Sequence, residues 1–216
     1  MVAPVLRRNR RRNAGRLAAA AAGYARLGWP VCLGAYPPSQ NAGRACSCDR
    51  VGCPDPGAHP ISPAWQAQAT VDPGLVTQWW MAQPEGNIIL VTGRVFDVLD
   101  VPAAAGAAAL ALMERSAARP GPVAVSAGNR ALFFVATRGA PADEDEWWSC
   151  HLDCEPEMNS EVVGLRWHCR DSYVVAPAHS GRGPGAHWIR DPREHTLPDC
   201  LRLLEYLADA CEEVLS

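Results

Sequence analysis

Three cysteines and one histidine are packed into a short run of turn-forming residues. Cys46, Cys48, Cys53 and His59 are separated by segments that contain glycine and proline. Thiolate and imidazole are the ligands that tetrahedral Zn²⁺ prefers, and such a segment folds back easily enough to bring four side chains together. The spacing therefore predicts a structural zinc site in a loop over residues 44–60. The alternatives are reduced surface cysteines or a disulfide between Cys46 and Cys53.

A second group of possible ligands lies further along the chain. Cys150 and Cys154 have His151 between them, in an acidic segment flanked by tryptophans. This group is either a second metal site, a contributor to the first, or a pair of ordinary cysteines. The other cysteines considered lie in apolar or helical contexts, where free buried thiols are common, so a disulfide framework is not expected: Cys32, Cys169, Cys200 and Cys211.

The composition is that of a soluble globular protein. The 216 residues, 48% of them hydrophobic, suffice for one sizeable domain or two small ones. No apolar stretch is long enough to span a bilayer, so we expect no membrane association and a cytoplasmic location. All 20 basic residues are arginines. Five of them lie in residues 7–12, which predicts a basic flexible arm over residues 1–13, either an ordinary terminus or a contact for nucleic acid.

The pattern of apolar runs and breakers predicts helices over residues 14–27, 72–81, 103–118 and 198–215. It predicts strands over residues 29–33, 87–92, 95–101, 123–126, 131–136, 161–167 and 172–176. The runs before and after Gly93-Arg94 are typical of a hairpin. Because helices and strands alternate without a regular βαβ repeat, we expect an α+β fold. It would be one domain over residues 14–216, with a largely antiparallel sheet core over 87–177.

A series of short motifs follows the chain. In order they are Gly28-Trp-Pro-Val, the Cys/His loop with Gly57-Ala-His59-Pro, Ala69-Thr70, Trp79-Trp80, Pro84-x-Gly-Asn87-Ile, Thr92-Gly93, Leu99-Asp100-Val101, Gly106 and Tyr173-Val-Val-Ala-Pro177. This order resembles the N-terminal domain of the bifunctional DNA primase/polymerases, the prim-pol branch of the archaeo-eukaryotic primases, over residues 18–190.

The resemblance implies a prim-pol fold whose catalytic half has an RRM-like antiparallel sheet flanked by helices. It implies binding of DNA or another nucleic acid and of nucleotides, with template-directed nucleotidyl transfer in bacterial replication. That reaction uses two divalent ions, so Mg²⁺ or Mn²⁺ is implied if the protein is catalytically active. A chain without lysine cannot carry a Gly-x-x-x-x-Gly-Lys loop, so we expect any replication helicase to be a separate chain.

The residues that the resemblance marks as catalytic are largely substituted. Asp100 matches the first acid of an acid-x-acid pair, but Pro102 stands at the second. Since alternate strand residues share a face, Pro102 removes a ligand next to Asp100. Ala131 stands where the family has a histidine, and Arg166 lies near the place of a third acid. Asp97 should project to the other face and into solvent.

Four residues remain as candidates for binding nucleic acid or nucleotides: Arg130, Arg166, His168 and Arg170. His168 and His179 could line a nucleotide groove or simply be packed. Trp147, Trp148 and Trp188 could stack on bases if exposed. Two hypotheses follow. The protein is a primase/polymerase that uses Asp100 with substituted ligands, or it is a catalytically inactive, zinc-stabilised module that binds nucleic acid or another protein.

Overall fold

The computed structural model describes residues 4–38, 45–48, 50–137, 164–178 and 186–215. The helices in these ranges are α1 (Pro4–Arg26), α2 (Trp65–Gln68), α3 (Pro73–Ala82), α4 (Ala103–Arg115) and α5 (Cys200–Leu215). The strands are β1 (Val31–Gly34), β2 (Asn87–Val91), β3 (Phe96–Pro102), β4 (Val123–Val125), β5 (Arg130–Ala136), β6 (Arg166–His168), β7 (Tyr173–Val175) and β8 (His187–Arg190). The chain divides into two compact units, Met1–Val91 with Val174–His179, and Thr92–Tyr173 with Ser180–Ser216.

The first unit contains a three-stranded sheet in the order β1-β2-β7. β1 and β2 are antiparallel, with Cys32 opposite Ile89. The chain enters α3 as the sequence predicts: the Asp72 carboxylate accepts from the backbone N–H of Gly74 at 2.7 Å, and Pro73 occupies the first turn. These contacts fix the start of α3, whose apolar side, including Trp80, is buried.

The second unit contains a five-stranded sheet in the order β6-β3-β5-β4-β8. The pairings β3–β5, β3–β6, β4–β5 and β4–β8 are all antiparallel. Helices α4 and α5 pack on one face and form the core with alternate sheet residues such as Leu99, Phe133 and Trp167. The prediction of an α+β fold with a largely antiparallel sheet is therefore confirmed.

The predicted hairpin before and after Gly93-Arg94 is wrong. β2 lies in the three-stranded sheet and β3 in the five-stranded sheet. The reason is that both edges of each strand are already paired: β2 lies between β1 and β7, and β3 between β6 and β5. The chain does turn here, with Gly93 at φ +78, but the turn connects strands of two different sheets and does not join neighbouring strands.

Other boundaries also differ from the prediction. Helix α1 begins at Pro4, so residues 4–13, expected to be a flexible arm, are helical. Alanine and arginine are strong helix formers, and they let the helix extend beyond its apolar part. β6 begins at Arg166, and β8 was not predicted. The division into an arm and a single domain over 14–216 stays a prediction.

No helix in the described part of the chain combines the length and the apolarity that a membrane crossing requires.

Candidate metal centre and charged site

The four predicted zinc ligands converge in the first unit. The Sγ atoms of Cys46, Cys48 and Cys53 and a ring nitrogen of His59 lie within 4.8 Å of one another. The Nε2 atom of His59 is 3.4 Å from both Cys46 Sγ and Cys53 Sγ. Bond lengths of about 2.3 Å to sulfur and about 2.0 Å to nitrogen give edges of about 3.5–3.8 Å in a tetrahedron. The spacing of the donor atoms therefore fits zinc.

The histidine is oriented for this role by its neighbour. His59 Nδ1 lies 2.7 Å from the carbonyl oxygen of Pro60. A proton on Nδ1 makes this contact a hydrogen bond and leaves the Nε2 lone pair directed at the thiols, as is usual for metal-bound histidines. The backbone holds both neighbours of the ring, because Ala35 N–H donates to His59 O at 2.8 Å and Pro60 bridges to Gly34.

The thiols differ in their tendency to ionise. Burial acts to raise the pKa of Cys46, but hydrogen bonds from the backbone at Cys48 and Gly57, and from the side chains of His59 and Cys48, lower that pKa to about 6. Burial, together with the thiols of Cys48 and Cys46, raises the pKa of Cys53. Cys46 thus favours the thiolate form at neutral pH, and thiolate is the form that binds a metal.

A second polar site lies on the sheet of the second unit, around Asp100. Val101 and Leu99 face the helices, so Asp100, between them on β3, points to the opposite face. Its side chain is 6% exposed and is bound on both oxygens. Arg130 Nε donates to Oδ1 at 2.5 Å, and His168 Nε2 lies 3.3 Å from Oδ2. The carboxylate is therefore paired with a cation that belongs to the protein.

Arg130 is held by more than its ion pair. Its Nη2 donates to the backbone carbonyls of Asp100 at 3.0 Å and Gly164 at 2.6 Å. The side chain is 22% exposed, so the guanidinium is largely enclosed by these acceptors. His168 is fixed at its other nitrogen, since Nδ1 lies 3.1 Å from Ser172 Oγ. The group is thus a connected network with defined geometry.

Two further arginines lie near this network. Arg166 is the cross-strand partner of Asp100 on β6, and its side chain is exposed. Arg170 follows β6 and is also exposed; its Nε lies 3.7 Å from Asp171 Oδ2, a loose surface pair. The structure thus brings Asp100, Arg130 and His168 into contact, leaves Arg166 beside them on the sheet, and puts Arg170 on the following turn.

Three expectations about this sheet need correction or refinement. Asp97 is on the opposite face from Asp100, as expected, but it is 3% exposed and not solvent-facing, because its face lies against the helices. Ala131 pairs with Val101 and faces α4, so a larger side chain there would press on that helix. Trp188 is 4% exposed and packs 4.9 Å from the ring of Phe134, so it is not available to stack on a base.

Six predicted candidates lie outside the described residues: Trp147, Trp148, Cys150, His151, Cys154 and His179. Among the described residues, the zinc cluster is the one group of three or more His, Cys, Asp or Glu side chains close enough to hold a metal ion. In the described part of the chain, Asp100 has no second acid beside it that would make such a group. Pro102, at the matching position, ends β3 and is the residue from which α4 begins.

Comparison with protein families gives one match that covers most of the chain. A model described as bifunctional DNA primase/polymerase, N-terminal, matches residues 21–201. Comparison with curated proteins gives no match.

Proposed function

Since the chain belongs to the bifunctional DNA primase/polymerase N-terminal family, we propose that it is a member that binds nucleic acid without polymerising nucleotides. One observation carries the proposal: the guanidinium of Arg130 is bonded to the carboxylate of Asp100 at 2.5 Å. Two-metal nucleotidyl transfer needs several carboxylate oxygens that are free to coordinate. Here the remaining acid is held by a cation that belongs to the protein itself.

The charges around Asp100 favour an anionic ligand. Arg130 neutralises the carboxylate, and Asp171 is available to offset Arg170. Arg166 remains, exposed beside the pair, and among the residues that the structure describes Asp100 is the acid opposite it. A site with a net positive charge attracts a phosphate directly, whereas a site built from three carboxylates attracts a phosphate only through bound metal ions. The ligand class is therefore a phosphate of a nucleic acid or nucleotide, bound without a divalent ion.

The zinc cluster has a structural role in this proposal. A site with four protein ligands leaves no open position for substrate, and such closed sites stabilise folds and do not catalyse reactions. Zn²⁺ would be held by Cys46, Cys48, Cys53 and His59. It would fix the loop after β1.

A primer-extension assay tests the catalytic half of the proposal. Purified protein, a primed template and all four deoxynucleotides are incubated with Mg²⁺ and, separately, with Mn²⁺. We expect no template-directed extension, or a trace, and no change with Asp100→Ala. Robust extension that Asp100→Ala abolishes would overturn the proposal and establish a polymerase with Mg²⁺ or Mn²⁺ as cofactor.

A binding assay tests the other half. Affinity for a labelled single-stranded oligonucleotide is measured by fluorescence anisotropy over a range of salt, without added divalent ion and with Mg²⁺. No chelator is used, because it would remove the structural zinc. We expect binding without Mg²⁺. The slope of log K against log salt, the salt slope, should fall in magnitude by about 0.7 with Arg166→Ala, which is the contribution of one phosphate contact on a single strand. Arg202→Ala is the matched control, because it removes an exposed arginine from α5. A requirement for Mg²⁺ in binding would overturn the metal-independent site.

The protein-interaction role is the remaining alternative for an inactive member. It would be favoured if neither single-stranded nor duplex DNA bound at low salt. The cytoplasmic location, the bacterial setting and a helicase on a separate chain stay predictions from the sequence.

A further inference from the structure

The turn between β6 and β7 carries part of the charged site and is attached to a second turn. Residues 169–172 follow His168, include Arg170, and end at Ser172, whose hydroxyl meets His168 Nδ1 at 3.1 Å. We call these residues the cationic turn. Its neighbour is the Thr92-Gly93 pair, which precedes β3 and lies in the same unit. Neither residue of this pair contacts Asp100 in the network described above.

Thr92 bonds to both ends of the cationic turn. Its hydroxyl donates to the carbonyl oxygen of Cys169 at 2.5 Å, and its backbone N–H donates to the carbonyl oxygen of Ser172 at 3.0 Å. The side chain of Thr92 is buried, with 1% of the residue exposed. A buried polar side chain with a single defined geometry holds its acceptors in place.

Gly93 allows the two turns to approach each other closely. A Cβ atom at this position would lie 2.2 Å from the Cα of Arg170 and 2.5 Å from its backbone nitrogen. The backbone of Gly93 is also in the left-handed region, at φ +78. Any other residue would therefore be strained and would push the backbone of Arg170 away.

We propose that Thr92 and Gly93 are positioning residues that set the cationic turn so that His168 meets Asp100 and Arg170 reaches the same ligand phosphate region as Arg166. The inference rests on the proposed function, because it assigns these residues to the binding site. Thr92 fixes the turn by hydrogen bonds, and Gly93 fixes its distance from the sheet. Neither residue touches the nucleic acid.

The test compares two threonine variants. Thr92→Val keeps the shape of the side chain but loses the hydroxyl that binds Cys169 O, whereas Thr92→Ser keeps the hydroxyl. Thr77→Val is the matched control, because the Thr77 hydroxyl also donates to a backbone carbonyl, that of Pro73, but at an exposed position of α3. The first readout is the salt slope of binding to a single-stranded oligothymidylate. The second is the pair of imidazole ¹⁵N resonances of His168 in the free protein.

We expect Thr92→Val to lower the salt slope by about 0.7, as Arg170→Ala does, and to shift the His168 resonances. The double variant that combines Thr92→Val with Arg170→Ala should have the same salt slope as Arg170→Ala alone, because both changes remove the same phosphate contact. Thr92→Ser and Thr77→Val should match the wild type in both readouts. Gly93→Ala should change the salt slope and the His168 resonances more than Thr92→Val does. If Gly93→Ala does not fold, the comparison of Thr92→Val with Thr92→Ser still tests the inference.

Wild-type behaviour of Thr92→Val in both readouts would overturn the inference. The inference would also be overturned if the decreases in salt slope caused by Thr92→Val and by Arg170→Ala added in the double variant. Failure of the proposed function would give a different result. Either the wild type would not bind in a salt-dependent way, or Arg166→Ala and Arg170→Ala would leave the salt slope unchanged. In that event the resonances of His168 decide alone whether Thr92 positions the turn.

Discussion

The ion pair between Arg130 and Asp100 can be tested by replacing Arg130 with methionine, which keeps an unbranched apolar stem and removes the guanidinium and its charge. The Asp100 side chain is 6% exposed and that of Arg130 is 22% exposed. After the change, the carboxylate keeps one of its two side-chain partners, His168 at 3.3 Å. Removing one member of a buried pair costs about 3–5 kcal/mol, because the other charge stays uncompensated.

This loss is large compared with the stability of a domain. A typical free energy of unfolding is about 5–15 kcal/mol. In a chain of this size the melting temperature falls by about 2–4 °C for each kcal/mol, so Arg130→Met should lower it by about 6–20 °C. Arg130→Lys should be intermediate, because an ammonium keeps the charge but cannot reproduce the three bonds to Asp100 and Gly164.

The decisive comparison adds Asp100→Asn to Arg130→Met. The second change removes the buried charge, so the double variant should be more stable than Arg130→Met alone. Urea unfolding followed by circular dichroism should give a coupling energy of about 1–3 kcal/mol. If the two single losses simply add, the carboxylate does not depend on Arg130, and the reasoning about a neutralised acid is refuted.

Three other changes have defined outcomes. Gly106→Ala should destabilise the protein in urea, because a Cβ at this position would lie 2.3 Å from the Cβ of Ala131 on β5. Overpacking costs about 1–3 kcal/mol, which exceeds the gain in helix propensity of about 1 kcal/mol. A stability equal to that of the wild type would contradict this. Ala117→Gly should raise the melting temperature, since Ala117 has φ 57, in the left-handed region. This conformation costs alanine about 1–2 kcal/mol, whereas the larger loss of backbone entropy on folding costs glycine about 0.5–1 kcal/mol. A lower melting temperature would contradict this. Elemental analysis should find about one zinc per chain, lost when Cys48→Ser and Cys53→Ser are combined and kept with Cys200→Ala; unchanged zinc in the double variant would place the metal elsewhere.

The parts of the fold that depend on nearby residues were predictable from sequence. The start of α3 needs only Asp72 and Pro73, and the zinc cluster needs ligands that are at most 13 positions apart. The pairing of β2 with β1 and β7 was not predictable in this way. A turn sequence such as Gly93-Arg94 shows where a strand ends, and it contains no information on which distant strands occupy its edges.

The charged site shows the same limit. Strand alternation put Asp97 and Asp100 on opposite faces correctly, but whether the Asp97 face is covered depends on where α4 and α5 pack. The bond between Arg130 and Asp100 joins residues 30 positions apart, and that between His168 and Asp100 spans 68. The sequence predicts Arg130 as a phosphate-binding candidate, but its bond to Asp100 depends on the pairing of β3 with β5, which puts Arg130 on the face of Asp100.

The long spacing between β3 and its two partners has a consequence for the folding kinetics of the second unit. Contacts between residues far apart in sequence form slowly, because the chain must close a large loop before the contacts compensate for the lost entropy. The pairing of β3 with β6, which brings His168 to Asp100, closes a much longer loop than the pairing of β3 with β5, so we expect the contact between His168 and Asp100 to form after the transition state. Interactions absent from the transition state slow unfolding and leave the folding rate almost unchanged. The network around Asp100 should therefore determine the lifetime of the folded unit much more than the speed with which that unit forms.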